Sequence, residues 1–515
     1  MRELPKNLYS VDSVVRLEQH AIKQMTASAV LPGYELMQRA GKAVYDICRE
    51  RYPQRQNILV LCGAGNNAGD GYVVARLAKQ AGLNVSLISL IDPATLRDEA
   101  SQAYQDWLAI GENNAADPGL LDEAEIIIDA LLGTGLSRNV SQQWARWIER
   151  VNRSASPVIA VDVPSGLKAD TGVIAGTAIK AEVTVCFIGL KQGMFTAQGK
   201  DVCGEIIFDD LNVPEQIYTQ VDVDARLISS VDYSLLPERP PSSHKGKFGH
   251  VLIIGGNRGM PGAAILSARA ALRTGAGLVS VVTVAENVEA IISAVPEAMI
   301  RCCTVHDFSA VLTTEFMATV SHIAIGMGLA QDEWSLELLR FSLASGKPML
   351  IDADALNLIA RHRLSFTSPA VITPHPAEAA RLLTTDTALS SADIQLNRFE
   401  SVRRLHDLFQ SGEPSAVISG AVISSAVILK GSGTLIYDGD MIKVCCLGNA
   451  AMAAPGMGDV LSGIVVALMA QKVNISDAAA LAVCLHASAA QHVTQDKTRG
   501  LLASDVVDAL QEVLR

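Results

Sequence analysis

Short apolar runs alternate with helical patterns through the first part of the chain, between residues 57 and about 210. Each run is of strand length and apolar throughout, which indicates a strand buried on both faces of a sheet. The stretch 71–82 has a helical apolar period and ends at a glycine suited to a helix C-terminus. Alternating strands and helices predict a parallel sheet with helices on both faces. The predicted strands span 57–62, 84–91, 125–132, 157–163 and 182–189.

A second series of apolar runs follows the segment 235–250, which is rich in Pro, Ser and Lys and predicts a loop or linker. Asp-Gly-Asp at the centre of 435–444 predicts a β-hairpin. In 415–430, Ala-Val-Ile recurs at a spacing that fits neither a strand nor a helix face. We interpret that segment as one buried strand preceded by an irregular insertion. The strands of this series are predicted at 250–256, 277–284, 322–328, 348–354, 370–376 and 427–433.

The length of the chain agrees with two domains, because 515 residues exceed one ordinary hydrophobic core. The boundary is expected near 215–235, which gives α/β domains at 1–218 and 226–515. The composition is that of a globular protein, with 49% hydrophobic and 19% charged residues. A net charge of -12 with no compensating basic block argues against nucleic acid as the main partner.

The cysteines and the start of the chain bear on location. Nine cysteines include no CxxC pair, and several lie in apolar runs, which indicates buried free thiols in a reducing compartment. The first residues lack the apolar core of a signal peptide, and no apolar segment runs uninterrupted for the length of a membrane span. We therefore expect a cytoplasmic protein without a membrane partner.

A glycine-rich turn joins the strand at 57–62 to the following helical stretch. Its spacing is not GxGxxG, and Asn66, Asn67 and Asp70 occupy the turn. A plain phosphate cradle needs mostly N–H groups, whereas amide and carboxylate oxygens suit a hard cation or a sugar hydroxyl. A structural turn with Asn and Asp caps would have the same composition, so both interpretations remain.

Two later strands of the first series also end in acids. Asp129 ends one strand before a second glycine-rich loop, and Asp162 ends another shortly before Ser165. Strand carboxyl ends share one edge of a doubly wound sheet, where ligands bind. A lone Asp at such a position is usually a helix cap, but three loops of this kind favour convergence of Asn67, Asp129, Asp162 and Ser165.

In the second series, Gly456 and Gly458 precede an apolar helical stripe, and Asp459 lies at the start of that helix. A bare helix N-terminus favours an anion such as phosphate. Asp459 could cap the helix, or it could accept a proton from a hydroxyl that attacks phosphorus while the amides of 456–458 stabilise the transferred group.

Three further features favour a nucleotide or phosphate pocket in the second domain. Lys430 and Thr434 flank a glycine-rich turn from which both could reach phosphate oxygens. His375 lies between two prolines at a strand end, and another glycine-rich loop spans 254–264. Repeated glycine-rich turns after strands are more typical of a nucleotide site than of a structural coincidence.

The first-domain motifs GNNAGDGYVVARL, IDALLGTGL and VDVPSGL resemble, in order and spacing, the NAD(P)H-hydrate epimerase family over residues 1–215. The resemblance implies a Rossmann-like fold and a potassium ion held by Asn67, Asp129 and Ser165. Our hypothesis for the acid/base that epimerises the hydroxylated ring carbon is Asp162. The family usually has Gly where this chain has Ala68. The damaged nucleotide is expected at Asn66, Asn67, Ala68, Gly69, Asp70, Gly133, Thr134, Gly135, Leu136, Ser137, Arg138, Asn139 and Asp162.

The motifs GMGDVLSGIV, LKGSGT, TPHPAE and IIGGNRGMPGA resemble the ribokinase-like ADP-dependent NAD(P)H-hydrate dehydratase family over residues 230–515. The resemblance implies that Asp459 deprotonates the ring hydroxyl for phosphorylation by ADP, after which phosphate leaves. The family commonly shows GPG where this chain has Gly-Met-Gly at 326–328. Contact with the hydrate is expected from Ala263, Gly328, His375 and Asp459, and contact with ADP or AMP from Lys430, Gly431, Ser432, Gly433, Thr434 and Gly458.

The fusion of both regions resembles bacterial bifunctional NAD(P)H-hydrate repair enzymes. Such an enzyme is an isomerase and a lyase, in which the epimerase supplies the S epimer that the dehydratase accepts. Magnesium is expected with the nucleotide phosphates, and a homo-oligomer is expected. The alternative is a vitamin or sugar kinase with a non-catalytic Rossmann-like binding domain. A dehydrogenase is less favoured, because the GxGxxG fingerprint is missing.

Overall fold

The computed structural model describes residues 4–25, 32–385, 388–410, 424–495 and 497–514. The chain forms two compact units, Met1–Leu227 and Ile228–Arg515. The division falls inside the interval 215–235 that the sequence suggested. Within the described residues, no helix combines the length and apolar character needed to cross a membrane.

The described residues of the first unit form nine strands. Six form a parallel sheet in the order β3-β2-β4-β5-β6-β8, while β1 pairs parallel with β7 and antiparallel with β9. The strands are β1 (Asn7–Tyr9), β2 (Asn57–Cys62), β3 (Asn84–Ser89), β4 (Ile126–Ala130), β5 (Val158–Val161), β6 (Val183–Phe187), β7 (Leu190–Lys191), β8 (Glu205–Asp209) and β9 (Ala225–Ile228). The described α-helices are α1 (Val11–Met25), α2 (Pro32–Arg51), α3 (Asn66–Gln80), α4 (Asp98–Leu108), α5 (Leu120–Glu123), α6 (Gln142–Val151) and α7 (Gly199–Val202).

All five strands predicted in this unit are present, and the parallel sheet is confirmed. Two expectations were wrong in detail. Strand β3 lies at the sheet edge and is partly exposed, not buried on both faces. Helix α3 begins at Asn66, so 66–70 form its first turn and are not a loop. Glycine is tolerated in this helix because it packs closely on β4: a Cβ at Gly71 would lie 2.6 Å from the Ala130 Cβ.

The strand order of this sheet fixes where a ligand can bind. The chain passes from β2 outward to β3 and then returns to the other side of β2 as β4. A crevice opens beyond the carboxyl ends of two strands at such a change of direction. The start of α3 and the end of β4, with Asp129, therefore lie at this crevice.

The second unit has strands in the order β12-β11-β10-β13-β14-β15-β16-β17-β18. Pairing is parallel from β12 through β16 and antiparallel from there to β18. The strands are β10 (His250–Ile254), β11 (Leu278–Thr283), β12 (Met299–Cys302), β13 (His322–Ile325), β14 (Met349–Ile351), β15 (Ala370–Ile372), β16 (Ser425–Leu429), β17 (Thr434–Tyr437) and β18 (Ile442–Cys445).

The described α-helices of the second unit are α8 (Pro261–Thr274), α9 (Val288–Ala294), α10 (Phe308–Val311), α11 (Thr314–Thr319), α12 (Glu333–Ala344), α13 (Ala353–His362), α14 (Pro376–Leu383), α15 (Ser391–Leu396), α16 (Arg398–Gln410), α17 (Met457–Ala470), α18 (Ile475–Thr494) and α19 (Ala503–Val513). Helix α17 is almost wholly buried, and it approaches α8 closely at Gly463, where a Cβ would lie 2.3 Å from the Ser267 carbonyl oxygen. This packing fixes the N-terminus of α17 over the sheet.

The six predicted strands of the second series and the hairpin at 435–444 are confirmed. The α/β class predicted for both units is confirmed with them. In 415–430 the predicted strand is β16, whereas the irregular insertion before it, within 411–423, lies outside the described residues. The order changes direction between β10 and β13, which places the loops after these strands at the ligand-binding edge.

Candidate active sites

Asp129 and Ser165 form a buried cluster at the carboxyl edge of the first sheet. The Ser165 hydroxyl donates to Asp129 Oδ1 at 2.6 Å, and the Ser165 backbone N–H donates to Oδ2 at 2.8 Å. Both residues are fully buried. Burial raises the pKa of Asp129 to about 6, against the opposing effect of these hydrogen bonds. No basic side chain of the described chain forms an ion pair with this carboxylate, so an external cation would complete the cluster.

Asn67 supplies a third polar group near the same crevice. It lies in the first turn of α3 and is 7% exposed, and its Nδ2 has no hydrogen-bond partner within the described residues. Gly133, from the loop after β4, lies beside it, because a Cβ there would be 3.2 Å from the Asn67 Cβ. A buried carboxylate with amide and hydroxyl groups near it provides the oxygen donors that a hard cation prefers.

Asp162 follows β5 in an unusual backbone conformation, with φ of 64°. Its Oδ1 accepts hydrogen bonds from the ammonium group of Lys191 and from the Phe187 backbone N–H, at 3.2 Å for the latter. Its Oδ2 accepts none from the described residues. Strain of this kind in a non-glycine residue often accompanies function. One carboxylate oxygen is thus held by a buried cation, and the other is available to a ligand.

Two more acids lie around this ion pair. Burial, with added repulsion from Asp162, raises the pKa of Asp70 well above its usual range. Burial also raises the pKa of Glu18 to about 7, an effect that Lys191 opposes and Asp162 supports. The sequence did not indicate Lys191 or Glu18, because neither belongs to a glycine-rich motif. Acids with strongly perturbed pKa values beside a strained carboxylate are typical of proton-transfer sites.

The remaining predicted site residues of the first unit differ in how far they are exposed to solvent. Asn66 is exposed at the start of α3, whereas Ala68 and Gly69 face the buried interior. Gly133 and Thr134 are half-buried after β4, as is Leu136, whereas Gly135 between them is exposed. The rest of that loop, Ser137, Arg138 and Asn139, is exposed. In the described chain no side-chain hydrogen bond links the loop 133–139 to α3 or Asp162.

In the second unit, Asp459 is the third residue of α17. The helix N-cap is Gly456, with φ of 85° and no side-chain cap. The Asp459 carboxylate accepts no hydrogen bond from the described residues, so it does not cap the helix. Burial, followed by the nearby Asp352 carboxylate, raises the pKa of Asp459 to about 7, against the effect of Lys430. A carboxyl group that titrates near neutral pH can act as a general base.

Lys430 and Asp352 form an ion pair beside this helix start. The Lys430 ammonium lies 2.7 Å from Asp352 Oδ1, and the Ser462 hydroxyl donates to Oδ2 at 2.8 Å. Burial opposes the charge on Lys430, but Asp352 and Glu378 outweigh it and raise the lysine pKa. Gly458 faces the pair, since a Cβ there would be 3.4 Å from the ammonium nitrogen. The predicted nucleotide residues Lys430 and Gly458 are thereby brought together.

His375 caps a helix and also contacts Glu378 at the ligand-binding edge of the second sheet. It is the N-cap of α14, where its Nδ1 accepts from the Ala377 backbone N–H at 3.1 Å, and its Nε2 lies 3.2 Å from Glu378 Oε1. Burial and the charge of Lys430 lower the His375 pKa, which favours neutral imidazole. Burial raises the pKa of Glu378 to about 7. His375 is thus tied through Glu378 to the Lys430 cluster.

Ala263 and Gly328 lie together at the point where the strand order changes direction. A Cβ at Gly328 would be 2.9 Å from the Ala263 Cβ. Met327, which replaces the proline common in the related family, is fully buried, and its carbonyl accepts from the Gly256 backbone N–H at 3.1 Å. That contact fixes the loop between β13 and α12 without the proline.

Arg398 supports the turn that carries Lys430. This arginine is fully buried, and its guanidinium donates to the backbone carbonyls of Leu429, Lys430 and Gly433 at 3.2–3.3 Å. Burial lowers its pKa to about 10. A Cβ at Gly431 would lie 2.7 Å from the guanidinium. The turn 430–434, with Ser432 and Thr434 at its surface, is therefore shaped by a residue that no sequence motif identified.

Two buried polar atoms behind the ion pair lack partners in the described chain. They are the Thr373 hydroxyl, after β15, and His486 Nε2, on α18. Burial and the charge of Lys430 lower the pKa of His486 to about 4. Neutral polar groups in this position add hydrogen-bonding capacity next to Lys430. No group of three or more His, Cys, Asp or Glu side chains in the described residues is arranged to hold a metal ion.

Both units match families of known proteins. Residues 251–512 match the family model for NAD(P)H-hydrate dehydratase, and residues 33–193 match that of the YjeF-related protein N-terminus. A bifunctional NAD(P)H-hydrate repair enzyme from Escherichia coli is 39% identical over 99% of this chain and 94% of that protein. The enzyme of the same name from Vibrio cholerae is 40% identical over 99% of both chains.

Solved structures are similar to the second unit. The ADP/ATP-dependent NAD(P)H-hydrate dehydratase from Bacillus subtilis, co-crystallised with ATP and Mg²⁺, is 29% identical and covers 55% of this chain and 94% of its own, with a TM-score of 0.47. A ribokinase-like superfamily protein from Enterococcus faecalis is 28% identical and covers 56% and 95%, also with a TM-score of 0.47. By its full-length similarity, this chain belongs to the family of bifunctional NAD(P)H-hydrate repair enzymes.

Proposed function

We propose that this chain repairs hydrated nicotinamide cofactors by two reactions, one in each unit. It is a bifunctional NAD(P)H-hydrate epimerase and dehydratase. The first unit interconverts the R and S hydrates, and the second converts the S hydrate to NAD(P)H while ADP becomes AMP and phosphate. The observation that carries the proposal is Asp459, a base with a pKa near neutrality beside Lys430 at a bare helix N-terminus.

In the second unit, Asp459 removes the proton of the ring hydroxyl as that oxygen attacks the terminal phosphorus of ADP. AMP is the leaving group, and the amides of 456–458 with Lys430 stabilise the charge on the transferred phosphoryl group. The ring nitrogen then expels phosphate from the carbon, and loss of a proton from the adjacent carbon restores the double bond. Ala263, Gly328 and His375 would contact the hydrate.

The turn 430–434 would hold the adenine nucleotide, with Gly458 leaving room at the helix start. Magnesium, when bound to the nucleotide, would neutralise phosphate charge. Lys430 already supplies one cation at this position, and Asp352 holds that cation in place. ADP is the proposed phosphoryl donor.

In the first unit, Asp162 takes the hydroxyl proton of the hydrate and passes it to the ring nitrogen, so that the carbon–nitrogen bond breaks and the hydroxylated carbon becomes an aldehyde. Attack by that nitrogen on the opposite face of the aldehyde closes the ring and inverts the carbon, while Asp162 returns the proton from nitrogen to oxygen. The contact of Lys191 with one carboxylate oxygen orients the other toward the substrate. Residues 66–70 and 133–139 would contact the nucleotide around this centre.

A potassium ion would be held by Asn67, Asp129 and Ser165. Support comes from the buried Asp129 carboxylate, which has no ion-pair partner in the described chain, and from the buried Asn67 near the same crevice. When bound, the cation supplies positive charge near the nucleotide. Ser165 orients Asp129 through two hydrogen bonds and so fixes the donor set.

The protein is further proposed to be cytoplasmic and homo-oligomeric, with neither nucleic acid nor membrane as a partner. All nine cysteines are free thiols, which agrees with a reducing compartment. Similarity along both units to bifunctional enzymes argues against the alternative of a vitamin or sugar kinase with a non-catalytic first domain.

Two single substitutions separate the activities. With Asp459→Asn, purified R or S hydrate should still equilibrate to a mixture, but no reduced nicotinamide should form with ADP. With Asp162→Asn, the S hydrate should be repaired at the wild-type rate and the R hydrate should persist. Chromatography of the epimers and absorbance of the reduced ring measure both. Wild-type epimerisation by Asp162→Asn, or repair by Asp459→Asn, would refute the assigned roles.

A further inference from the structure

A basic groove lies between α13 and α14 in the second unit. It has a volume of about 470 Å³ and contains three arginines, Arg361, Arg363 and Arg381. Arg361 is in the last turn of α13, and Arg363 follows that helix in a left-handed conformation with φ of 51°. Arg381 projects from α14. Three guanidinium groups thus line one concavity on a chain whose net charge is -12.

These arginines make contacts that leave their charge uncompensated. Arg381 Nη1 donates to Asn357 Oδ1 at 2.9 Å, and Arg363 Nη2 donates to the Thr384 carbonyl oxygen at 3.1 Å. Both acceptors are neutral. Across the described ranges, no acid forms an ion pair with any of the three. Several guanidinium groups around one opening favour an anion with several oxygens, such as a phosphate group, whose geometry the forked guanidinium matches.

One end of the groove is lined by the loop that carries Gly328, a proposed hydrate residue. Gln331 lines its near end, three residues after Gly328, and donates to Asp354 Oδ1 at 3.2 Å. Helix α13 starts directly after Asp352, and α14 starts directly after His375. From Asp352 to Arg361 the helix rises about 13 Å. The groove therefore extends from the loop of Gln331 toward Arg361 and Arg363, over the distance scale of a nucleotide.

We propose that this groove binds the adenosine half of the hydrated dinucleotide, with Arg361 and Arg363 contacting the 2′-phosphate that distinguishes NADPHX from NADHX. The proposal rests on the function proposed above and adds a preference for the phosphorylated cofactor. The diphosphate bridge is common to both hydrates and would pass Arg381. The 2′-phosphate is present only in NADPHX, so Arg361 and Arg363 affect the binding of that hydrate alone.

The test is the double substitution Arg361→Gln/Arg363→Gln, assayed for dehydration of each S hydrate with ADP. We expect kcat/KM for NADPHX to fall by about tenfold or more, the effect of losing a charge-assisted contact, with the value for NADHX within about twofold of wild type. Added salt should weaken wild-type NADPHX repair more than NADHX repair. Arg340→Gln is the matched control, because this exposed arginine pairs with Glu337 outside the groove.

Three results would overturn the proposal: unchanged kinetics, an equal loss for both hydrates, or an equal loss in the control. Epimerase activity in the same samples reports that the first unit is intact, and far-ultraviolet circular dichroism reports the fold of the whole chain. If the wild-type protein repaired neither hydrate, the proposed function itself would fail. If it repaired both and the double variant did not discriminate, only the groove assignment would be wrong.

Discussion

Lowering the pH through neutrality should switch off dehydration by protonating Asp459. Burial and the Asp352 carboxylate hold the pKa of Asp459 at about 7. A base must be deprotonated to act, so about half of the molecules are competent at pH 7, about nine-tenths at pH 8 and about one-tenth at pH 6. The value of kcat/KM for the S hydrate should therefore fall about fivefold between pH 7 and pH 6. It should rise only about twofold between pH 7 and pH 8.

The assay follows the absorbance of the reduced nicotinamide at saturating ADP, with purified S hydrate as the variable substrate. One other group could produce the same limb, because the pKa of Glu378 is also about 7. Glu378→Gln separates the two, since glutamine retains an acceptor for the His375 backbone N–H. The acid limb should persist near pH 7 in Glu378→Gln. Asp459→Asn should lower the rate by about 10²–10⁴-fold, the usual contribution of a general base.

A flat profile between about pH 6 and pH 8 would refute the assignment of Asp459 as the base. The assignment would also be refuted if Glu378→Gln lost the acid limb while Asp459→Asn kept it. The second result would move proton transfer to Glu378, which lies 3.9 Å from the Lys430 ammonium.

Two other predictions address the groups that hold the sites. Arg398→Lys cannot reproduce the forked contacts with the turn 430–434. The KM for ADP should therefore rise about tenfold, about 1.4 kcal/mol, while kcat and epimerase activity stay near wild type. A fall in kcat of the same size, without a change in KM, would contradict this role. Potassium at about ten times its Kd should stabilise the first unit by about 1.4 kcal/mol. The measurement compares thermal unfolding in potassium with thermal unfolding in a bulky monovalent cation at equal ionic strength. Because that stabilisation needs the ionised carboxylate, it should fade below about pH 6 and be absent in Asp129→Asn; an unchanged potassium effect in that variant would refute the site.

The sheets were predictable because central parallel strands are apolar on both faces. Each predicted strand therefore appeared as a continuous run, as with β2 and β10. The strands that were missed, β1, β7, β8, β9 and β12, include short and partly exposed ones, whose sequences lack this signal. The start of α3 was placed too late because glycines around Asn67 indicate a turn locally, whereas Gly69 and Gly71 lie in the helix and pack closely on Met37 and Ala130.

The site was predictable where chemistry follows glycine-rich turns, as at Asp459 and Lys430. Asp352 was harder to single out, because an acid after a strand usually caps a helix, and this one also does so through the Ala353 backbone N–H. Arg398 begins a helix rich in charged residues, so its full burial depends on the turn packed over it. Burial of a charge by residues distant in sequence leaves no local pattern.

The most direct test of the account is the extent of repair of an equal mixture of R and S hydrates by the wild-type protein with excess ADP. Asp162 and Asp459 acting in succession predict complete recovery of the reduced nicotinamide, with one AMP and one phosphate released for each molecule repaired. Recovery that stops at half would show that the first unit does not epimerise. No recovery with ADP would contradict the central claim that the second unit is a phosphoryl-transfer dehydratase.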